Sequence, residues 1–456
     1  MPPTHSHEAY QEWLHNRLCV LIENQDFEAA KALLVPVQPA DVADAIETLP
    51  DKAQAIAFRL LAKDQAVEVY EHLQPRVQYS LIEDFKQPDV QSVVDSMSPD
   101  DRARLFDELP AKVARQIVQQ LTPAERSATA LLLGYKPGTA GRIMTPEYIS
   151  LKEGQTVQQA LEKIRREAQQ AETIAYLYVT DTDRQLTGLL SLRELVVAPS
   201  DQVIGALMIR NVVFAHTDTD QEEVARLIQR YDFVALPIVD SEQRLVGIVT
   251  IDDVLDVLEQ ETTEDIYALG GVQSGGDSYF QSNLFTVARK RVAWLMVLLV
   301  TNTMTTAVIT SQEAVLEQVI ALAAFIPLLI DAGGNVGAQS STVVIRGLST
   351  EETHMKRALW VIWREAMAGI ILGLMLGTVV FVWATILQGN MLVALAVGIS
   401  LFAISAIASL AGSALPYVFN SFGLDPALMS APFITTAVDV LGVLIYLNVA
   451  RIILQL

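Results

Sequence analysis

The sequence predicts a multi-domain protein of the α plus α/β class that ends in a five-helix transmembrane domain. Three observations predict it. Nearly charge-free windows, each long enough to cross a bilayer, occur only in the last third of the 456 residues. Apolar residues recur at a constant step of twelve through residues 26–135. A segment within residues 140–260 repeats itself at a step near 59. The expected order is an N-terminal helical superhelix over 1–138 and two α/β repeats over 139–200 and 201–250. An acidic connecting helix with its linker follows over 251–285, then the membrane domain over 286–456.

The five windows run over 292–310, 319–345, 366–387, 391–419 and 427–450. Each suffices for a hydrocarbon core of about 30 Å at about 1.5 Å per helical residue. Arg289, Lys290 and Arg291 precede the first window, and Arg346, Lys356, Arg357 and Arg364 lie between the second and third. The first outer loop has only Glu313 and Glu317. Basic residues stay on the cytoplasmic side, so the N-terminus is expected in the cytoplasm and Leu456 outside. The first 30 residues hold acids and no long apolar run, which does not read as a signal peptide. Gly369, Gly373 and Gly377 form a small-residue row suited to close helix packing.

Two windows carry acids. The second holds Asp331, Gly333, Gly334, Asn335, Gln339 and Thr342; the fifth holds Asp439 after Thr435 and Thr436. An ionised carboxylate facing lipid is costly, so both acids should face a cavity, a partner or an ion. No base lies inside any window, which leaves a bound cation as the natural partner of Asp439. The other reading of Asp439 is a protonated helix–helix hydrogen bond. The inward groups are carboxylate, amide, hydroxyl and carbonyl, with no His or Cys. Such hard oxygen donors suit Mg²⁺, Ca²⁺ or Mn²⁺, and a small number of carboxylates favours a cation that keeps its waters, as Mg²⁺ does.

The formal charge is −21, and from Leu284 onward bases and acids balance, so the soluble part carries the whole excess. That surface repels nucleic acid and attracts cations. Cys19 is the single cysteine, which excludes an intrachain disulfide and a thiolate metal site.

In the superhelix, Val37, Leu49, Leu61, Leu73, Phe85, Met97, Leu109 and Leu121 mark the step of twelve. Pro39, Pro50, Pro75, Pro99, Pro110 and Pro123 follow six of them within two positions. Proline fits a first helical turn, so each is expected to open a short helix in a stacked array. Asp41, Asp51, Asp100 and Asp101 lie near those starts, where capping is the ordinary role.

In the repeat, residues 186–195 match 245–254. An apolar strand (175–179; 235–239) and a helix (157–166; 222–231) precede each copy. This order resembles tandem CBS domains. Ser191-x-x-Glu194 and Thr250-x-x-Asp253 open the last helix of each copy. In CBS domains that element can hold an adenosine ribose; as a capping box it fits equally well.

Residues 251–269 then read IDDVLDVLEQETTEDIYAL. Asp252, Asp253, Asp256, Glu259, Glu261, Glu264 and Asp265 are seven acids without a base. Like charges at i,i+4, as in Asp252 and Asp256, destabilise a helix. A solvated acidic helix is one reading; divalent cations bound between these acids and others is the second.

Several stretches resemble the MgtE magnesium transporters. They are MTPEY (144–148), TDTDQEEVARL (217–227), YDF-x-x-LP-x-VD (231–240), DDVLDVLE (252–259), TEDI (263–266), GGNVGAQS (333–340), LDPAL (424–428) and TTAVDVLGVLIY (435–446). The resemblance covers nearly the whole chain. It implies a homodimer in the cell (inner) membrane, crossing it several times, with a central Mg²⁺ pore lined by the second and fifth spans. It implies that Asp439 is the selectivity aspartate, that Asn335 and the neighbouring glycines form a pore-lining turn with Asp331 one turn earlier, and that Asp425 lies near the cytoplasmic mouth. The connecting helix resembles a plug that closes the pore at high cytosolic Mg²⁺. Asp253, Asp256, Glu264 and Asp265 match its metal-contacting acids, with Asp220, Glu222 and Asp232 on the CBS pair and Asp100 facing Asp253. Tyr176, Arg193, Glu194 and Phe233 fall on positions similar to the family's ATP contacts. There are two departures. Lys136-Pro137-Gly138-Thr139 replaces an acidic stretch, and Arg104 sits where another acid can occur. The expected function is a Mg²⁺-selective, channel-like transporter closed by Mg²⁺ on its acidic domains. The rivals are a cation-coupled divalent transporter and a non-transporting nucleotide sensor in the membrane. No GxGxxG, P-loop, nucleophile elbow or HExxH supports an enzyme.

Overall fold

The computed structural model describes residues 7–84, 94–109, 111–272, 284–349, 357–424 and 426–456. The chain divides into two compact units, Met1–Leu258 and Glu259–Leu456.

The first unit opens with the helical array: α1 (His7–Glu23), α2 (Phe27–Leu34), α3 (Pro39–Glu47), α4 (Asp51–Arg59), α5 (Lys63–His72), α6 (Pro75–Asp84), α7 (Pro99–Glu108), α8 (Ala111–Gln120) and α9 (Pro123–Leu133). Prolines stand at the first position of α3, α6, α7 and α9, as the spacing predicts. Val37, Leu49, Leu73, Met97, Leu109 and Leu121 are all buried in one core. Each therefore anchors the turn ahead of a new helix, at about 1.5–3 kcal/mol per fully buried large side chain. Capping differs from expectation. Asp26, Ser98 and Thr122 supply the cap oxygens of α2, α7 and α9, while Asp100 and Asp101 stand in the first turn of α7, where the Ser98 hydroxyl donates to Asp101 Oδ2 (2.8 Å).

The duplicated part follows: α10 (Ala140–Ile143), β1 (Ser150–Leu151), α11 (Val157–Glu167), β2 (Tyr176–Thr180), β3 (Leu186–Ser191), α12 (Leu192–Val197), β4 (Ala215–His216), α13 (Gln221–Tyr231), β5 (Ala235–Val239) and β6 (Leu245–Thr250). Among the described residues its strands form two sheets, ordered β1-β2-β3 and β4-β5-β6. In each, a parallel pair joins an antiparallel pair, and the registers correspond: Tyr176 opposes Ser191 as Ala235 opposes Thr250. The hairpins turn through positive φ at Arg184 (66°) and Gln243 (63°), 59 residues apart. A Cβ on Gly188 would lie 2.5 Å from the sulfur of Met208, and one on Gly247 2.7 Å from that of Met144, so each hairpin glycine makes room for a methionine. α14 (Ile251–Leu269) carries the acidic stretch as one unbroken helix from β6 onward.

The second unit holds α15 (Leu284–Ser311), α16 (Glu313–Gln318), α17 (Ile326–Ser349), α18 (Ala358–Gln388), α19 (Met391–Ser421) and α20 (Pro426–Leu454). Among the described residues five segments are long and apolar enough to span a bilayer: Val287–Ser311, Ile320–Leu348, Ala358–Gln388, Met391–Ser421 and Phe433–Leu454. They coincide with the five predicted windows. The glycine row of α18 lies against α19. Added Cβ atoms would come within 2.4 Å of Ser409 Cβ at Gly369, and within 2.7 Å of Phe402 O and Gly398 O at Gly373 and Gly377. Without a hydrophobic drive between helices in lipid, such backbone approach is what holds them.

Candidate functional site

The membrane acids lie on two neighbouring helices. α17 runs as a regular helix through Asp331–Ala–Gly–Gly–Asn335, so the pore-lining turn expected there is instead a helical stripe. Its glycines have a packing duty. A Cβ on Gly333 would meet Ile404 Cγ2 at 2.4 Å and Val438 Cγ1 at 3.0 Å, and one on Gly412 would meet Gly337 O at 2.3 Å. α17 can press onto α19 and α20 only because these positions have no side chain. The opposite face exposes Asp331, Asn335, Gln339, Thr342 and Arg346 at helical spacing. On α20, Thr435, Thr436 and Asp439 are half-buried and share one face. A Cβ on Gly334 would sit 3.7 Å from Thr435 Cγ2, so the Asn335 stripe and the Asp439 face adjoin. Buried Ser340 hydrogen-bonds Ser409 (2.8 Å), which donates to the Glu365 carbonyl of α18 (2.7 Å) and locks the three helices together. Asp425 lies outside the described residues.

A second site lies within the first unit, where α7 meets the start of α14. Asp100 is buried at 7% exposure, and its Oδ1 makes no hydrogen bond. Burial, then the carboxylates of Asp253, Asp101 and Glu172, hold it well above the usual carboxylate range. Asp253 is pushed up to about 7 by burial and by Asp101, Asp252 and Glu172, although the Thr250 hydroxyl donates to its Oδ2 at 2.7 Å. That bond joins the two side chains of the predicted Thr250-x-x-Asp253 element to each other and not to a backbone N–H. Burial also raises Asp101, which Asp252 and Asp256 raise further and which Ser98 and Arg104 oppose. Asp256 pairs with Arg104 at 2.5 Å. The result is a seam of carboxylates pressed together with too little positive charge to neutralise them.

Other predicted metal residues have local partners. Asp220 caps α13 by accepting from Glu222 N (2.9 Å), Glu222 pairs with Arg226 one turn on, and Asp232 is the left-handed cap that ends α13. Glu264 accepts from Gln260 (3.0 Å), and Asp265 lies in the last turns of the same helix. Among the described residues, the trio with ligand atoms within 4.8 Å of one another is His7, Asp41 and Asp44, at exposed or half-exposed positions. The last turn of α14 packs Ala268 and Leu269 against Ile345 of α17, the helix that carries Asp331 and Asn335.

The nucleotide candidates gather at the head of β2. Tyr176 meets the edge of Phe233 (centroids 6.2 Å apart), and Phe233 stacks on Tyr231 (5.4 Å). Tyr176 pairs in register with Ser191, which places exposed Arg193 and Glu194 just beyond it. Glu194 completes the capping box, accepting from Ser191 N (3.1 Å) and from its hydroxyl (2.8 Å).

Known proteins match along the length of the chain. Three family profiles fit in sequence: an MgtE intracellular N domain over residues 37–138, CBS domains over 140–201 and 204–260, and a divalent cation transporter domain over 326–449. The magnesium transporter MgtE of Thermus thermophilus is 40% identical over 438 residues, covering 95% of this chain and 97% of that protein. The chain belongs to the MgtE family of magnesium transporters. The MgtE of Bacillus subtilis is 34% identical over 434 residues, 95% of this chain and 96% of that one. Among solved structures, the cytosolic domain of the Mg²⁺ channel MgtE in complex with ATP has 38% identity and a TM-score of 0.52. It covers 53% of this chain and 99% of that one. The family resemblance, the fold class and the multi-pass membrane location expected from the sequence are thus borne out.

Residues with no sequence signal complete the seam. Glu71 and Glu172 are each pushed up to about 7, first by burial, then by Asp101 for Glu71 and by Asp252 and Asp101 for Glu172. Two buried arginines hold the frame. Arg102 donates to Val94 O (2.8 Å), Glu125 Oε2 (2.5 Å) and Thr129 (3.2 Å). Arg142 grips Asp107 with two nitrogens, one at 2.8 Å, and the Leu132 carbonyl (3.0 Å), tying α7 to α10. These partners lie far apart in sequence, so no local pattern announces them.

Proposed function

We propose that this protein admits Mg²⁺ through a channel-like pathway lined by the polar faces of α17 and α20, paired across a homodimer, and that cytosolic Mg²⁺ closes it. The observation that carries the reading is Asp100: a buried carboxyl with an unbonded oxygen, set against Asp253. Two such groups stay ionised together only with a cation between them. At low Mg²⁺ the seam repels, the array leaves the CBS pair, and α14 is released. At high Mg²⁺ bound ions bridge the seam and hold α14. Its last turn bears on Ile345 and so on the helix of the pathway.

Asp439 is the acid that draws a hydrated Mg²⁺ into the pathway, with Asn335 and Asp331 alongside it and Asp425 at its cytoplasmic mouth. With the N-terminus in the cytoplasm, an inside-negative potential adds about 4.6 kcal/mol per divalent ion per 100 mV to entry. Glu264 and Asp265 on α14, and Asp220, Glu222 and Asp232 on the CBS pair, would join the bridges by exchanging their present partners for ions. The Tyr176–Phe233 edge, with Arg193 and Glu194, suits an adenine nucleotide, in keeping with the ATP complex of the related cytosolic domain.

The test is Mg²⁺ influx into liposomes holding the full chain, with the internal Mg²⁺ varied. Influx that falls as internal Mg²⁺ rises, and that ignores proton and sodium gradients, is the expected result. Influx that needs either gradient would make the protein a coupled transporter, and no influx at all would make it a sensor.

A further inference from the structure

The acidic seam contains a positive charge of its own. Arg104 stands on α7 one turn beyond Asp100 and Asp101, and its guanidinium reaches across to Asp256 on α14 at 2.5 Å. The two partners are 152 residues apart, so this pair belongs to the packing of array against connecting helix and not to either helix alone. Both side chains are about half exposed, at 55% and 56%. The same guanidinium favours the ionised form of Asp101, which the surrounding acids oppose. A cavity of about 20 Å³ opens beside it, lined by Glu71, Gln78, Asp101 and Arg104 among others.

A guanidinium in that place differs from a metal ion in one respect. It is always charged and cannot diffuse away, because it arrives with its helix. It therefore neutralises part of the seam whether or not Mg²⁺ is present. It also occupies Asp256, which otherwise needs an external cation when α7 and α14 come together.

We propose that Arg104 is a tethered counter-cation that holds the seam partly closed by itself, lowering the Mg²⁺ needed for closure and making the response less steep. This rests on the reading that the seam senses Mg²⁺. Arg104 acts as a positioning residue through Asp256.

The test uses the full chain in liposomes, with influx followed against internal Mg²⁺ for the wild type, Arg104→Gln, Arg104→Lys and Asp253→Ala. Arg104→Gln should raise the half-closing Mg²⁺ by about two- to fivefold, the size an exposed ion pair carries. It should also steepen the closing curve, because Mg²⁺ then replaces the lost charge. Arg104→Lys should restore most of the wild-type curve, and raised KCl should shrink the wild-type advantage by screening. In Mg²⁺-free detergent, trypsin should cut between array and CBS pair faster in Arg104→Gln than in Arg104→Lys, a difference that loss of folding in both variants would erase. Arg104→Gln closing at the wild-type Mg²⁺ level while Asp253→Ala is shifted would overturn the role of Arg104 alone. Closure of the wild type that ignores internal Mg²⁺, with Asp253→Ala unchanged, would overturn the sensor and this inference together.

Discussion

The seam and the membrane helices carry their carboxylates in opposite ways. In the seam, Glu71, Asp100, Asp101, Glu172, Asp252 and Asp253 are crowded until burial and mutual repulsion raise the proton affinity of most of them. In the membrane unit, Asp331 and Asp439 stand singly on the polar faces of α17 and α20, spaced by amides and hydroxyls. A crowd of weak cation sites gives a switch, because many small preferences for one state multiply into the large differential affinity that a sharp population shift needs. An isolated acid gives a filter, because one strong contact per ion decides what enters. On the proposed reading, the same chemical group serves regulation where it is dense and selection where it is sparse.

Four experiments bear on this contrast, from the largest expected effect to the smallest. Asp439→Ala should reduce selective Mg²⁺ influx by roughly 10–100-fold, the worth of a contact to a charged group. Selective influx at the wild-type rate would remove Asp439 from the filter. Asp253→Ala should leave influx running at millimolar internal Mg²⁺, because one side of the Asp100 bridge is gone. Measuring the half-closing Mg²⁺ checks it, and a shift below about twofold would mean the seam does not act collectively. Gly412→Val should cost about 1–3 kcal/mol by driving a methyl into the Gly337 carbonyl. A thermal-unfolding midpoint equal to wild type would show that α17 and α19 can separate there.

The smallest effect is that of pH without Mg²⁺. Asp253, Glu71 and Glu172 have folded-state values near 7, above the ordinary carboxylate value of about 4. Their contribution to holding array and CBS pair together is full below about pH 4 and fades as pH rises through about 7. Proteolysis between these parts should therefore be slower at pH 6 than at pH 8, and saturating Mg²⁺ should abolish the difference. A seam held more tightly at pH 8 would reverse the sign and contradict the repulsion.

Much of the architecture was legible because it follows short-range rules. A proline opens a helix wherever its missing N–H is harmless, so Pro39, Pro75, Pro99 and Pro123 mark helix starts. A span must bury its backbone bonds internally, so the five apolar windows are helices. The repeat step of 59 carries through to strand register, turns and glycine–methionine contacts. The sites were legible only in part. Asp439 and Asp253 stood out because acids in apolar or all-acidic surroundings need an explanation. The glycines of the second window were expected in a pore-lining turn, yet they lie in a straight helix that packs against Ile404 and Val438, which come from other helices. Glu71, Glu172, Arg102 and Arg142 were invisible, since their roles arise from partners brought together by packing. Arg104 was visible as an unexpected base, but its partner was not.

The most direct test of the central claim is the separation between the array and the CBS pair, followed by paired spin labels in the full chain in a bilayer while Mg²⁺ is titrated. The account predicts a short distance at millimolar Mg²⁺ and a longer one when Mg²⁺ is removed, with Asp100→Ala and Asp253→Ala each needing more Mg²⁺ to reach the short state. A distance that stays the same with and without Mg²⁺, in wild type and variants alike, would contradict it.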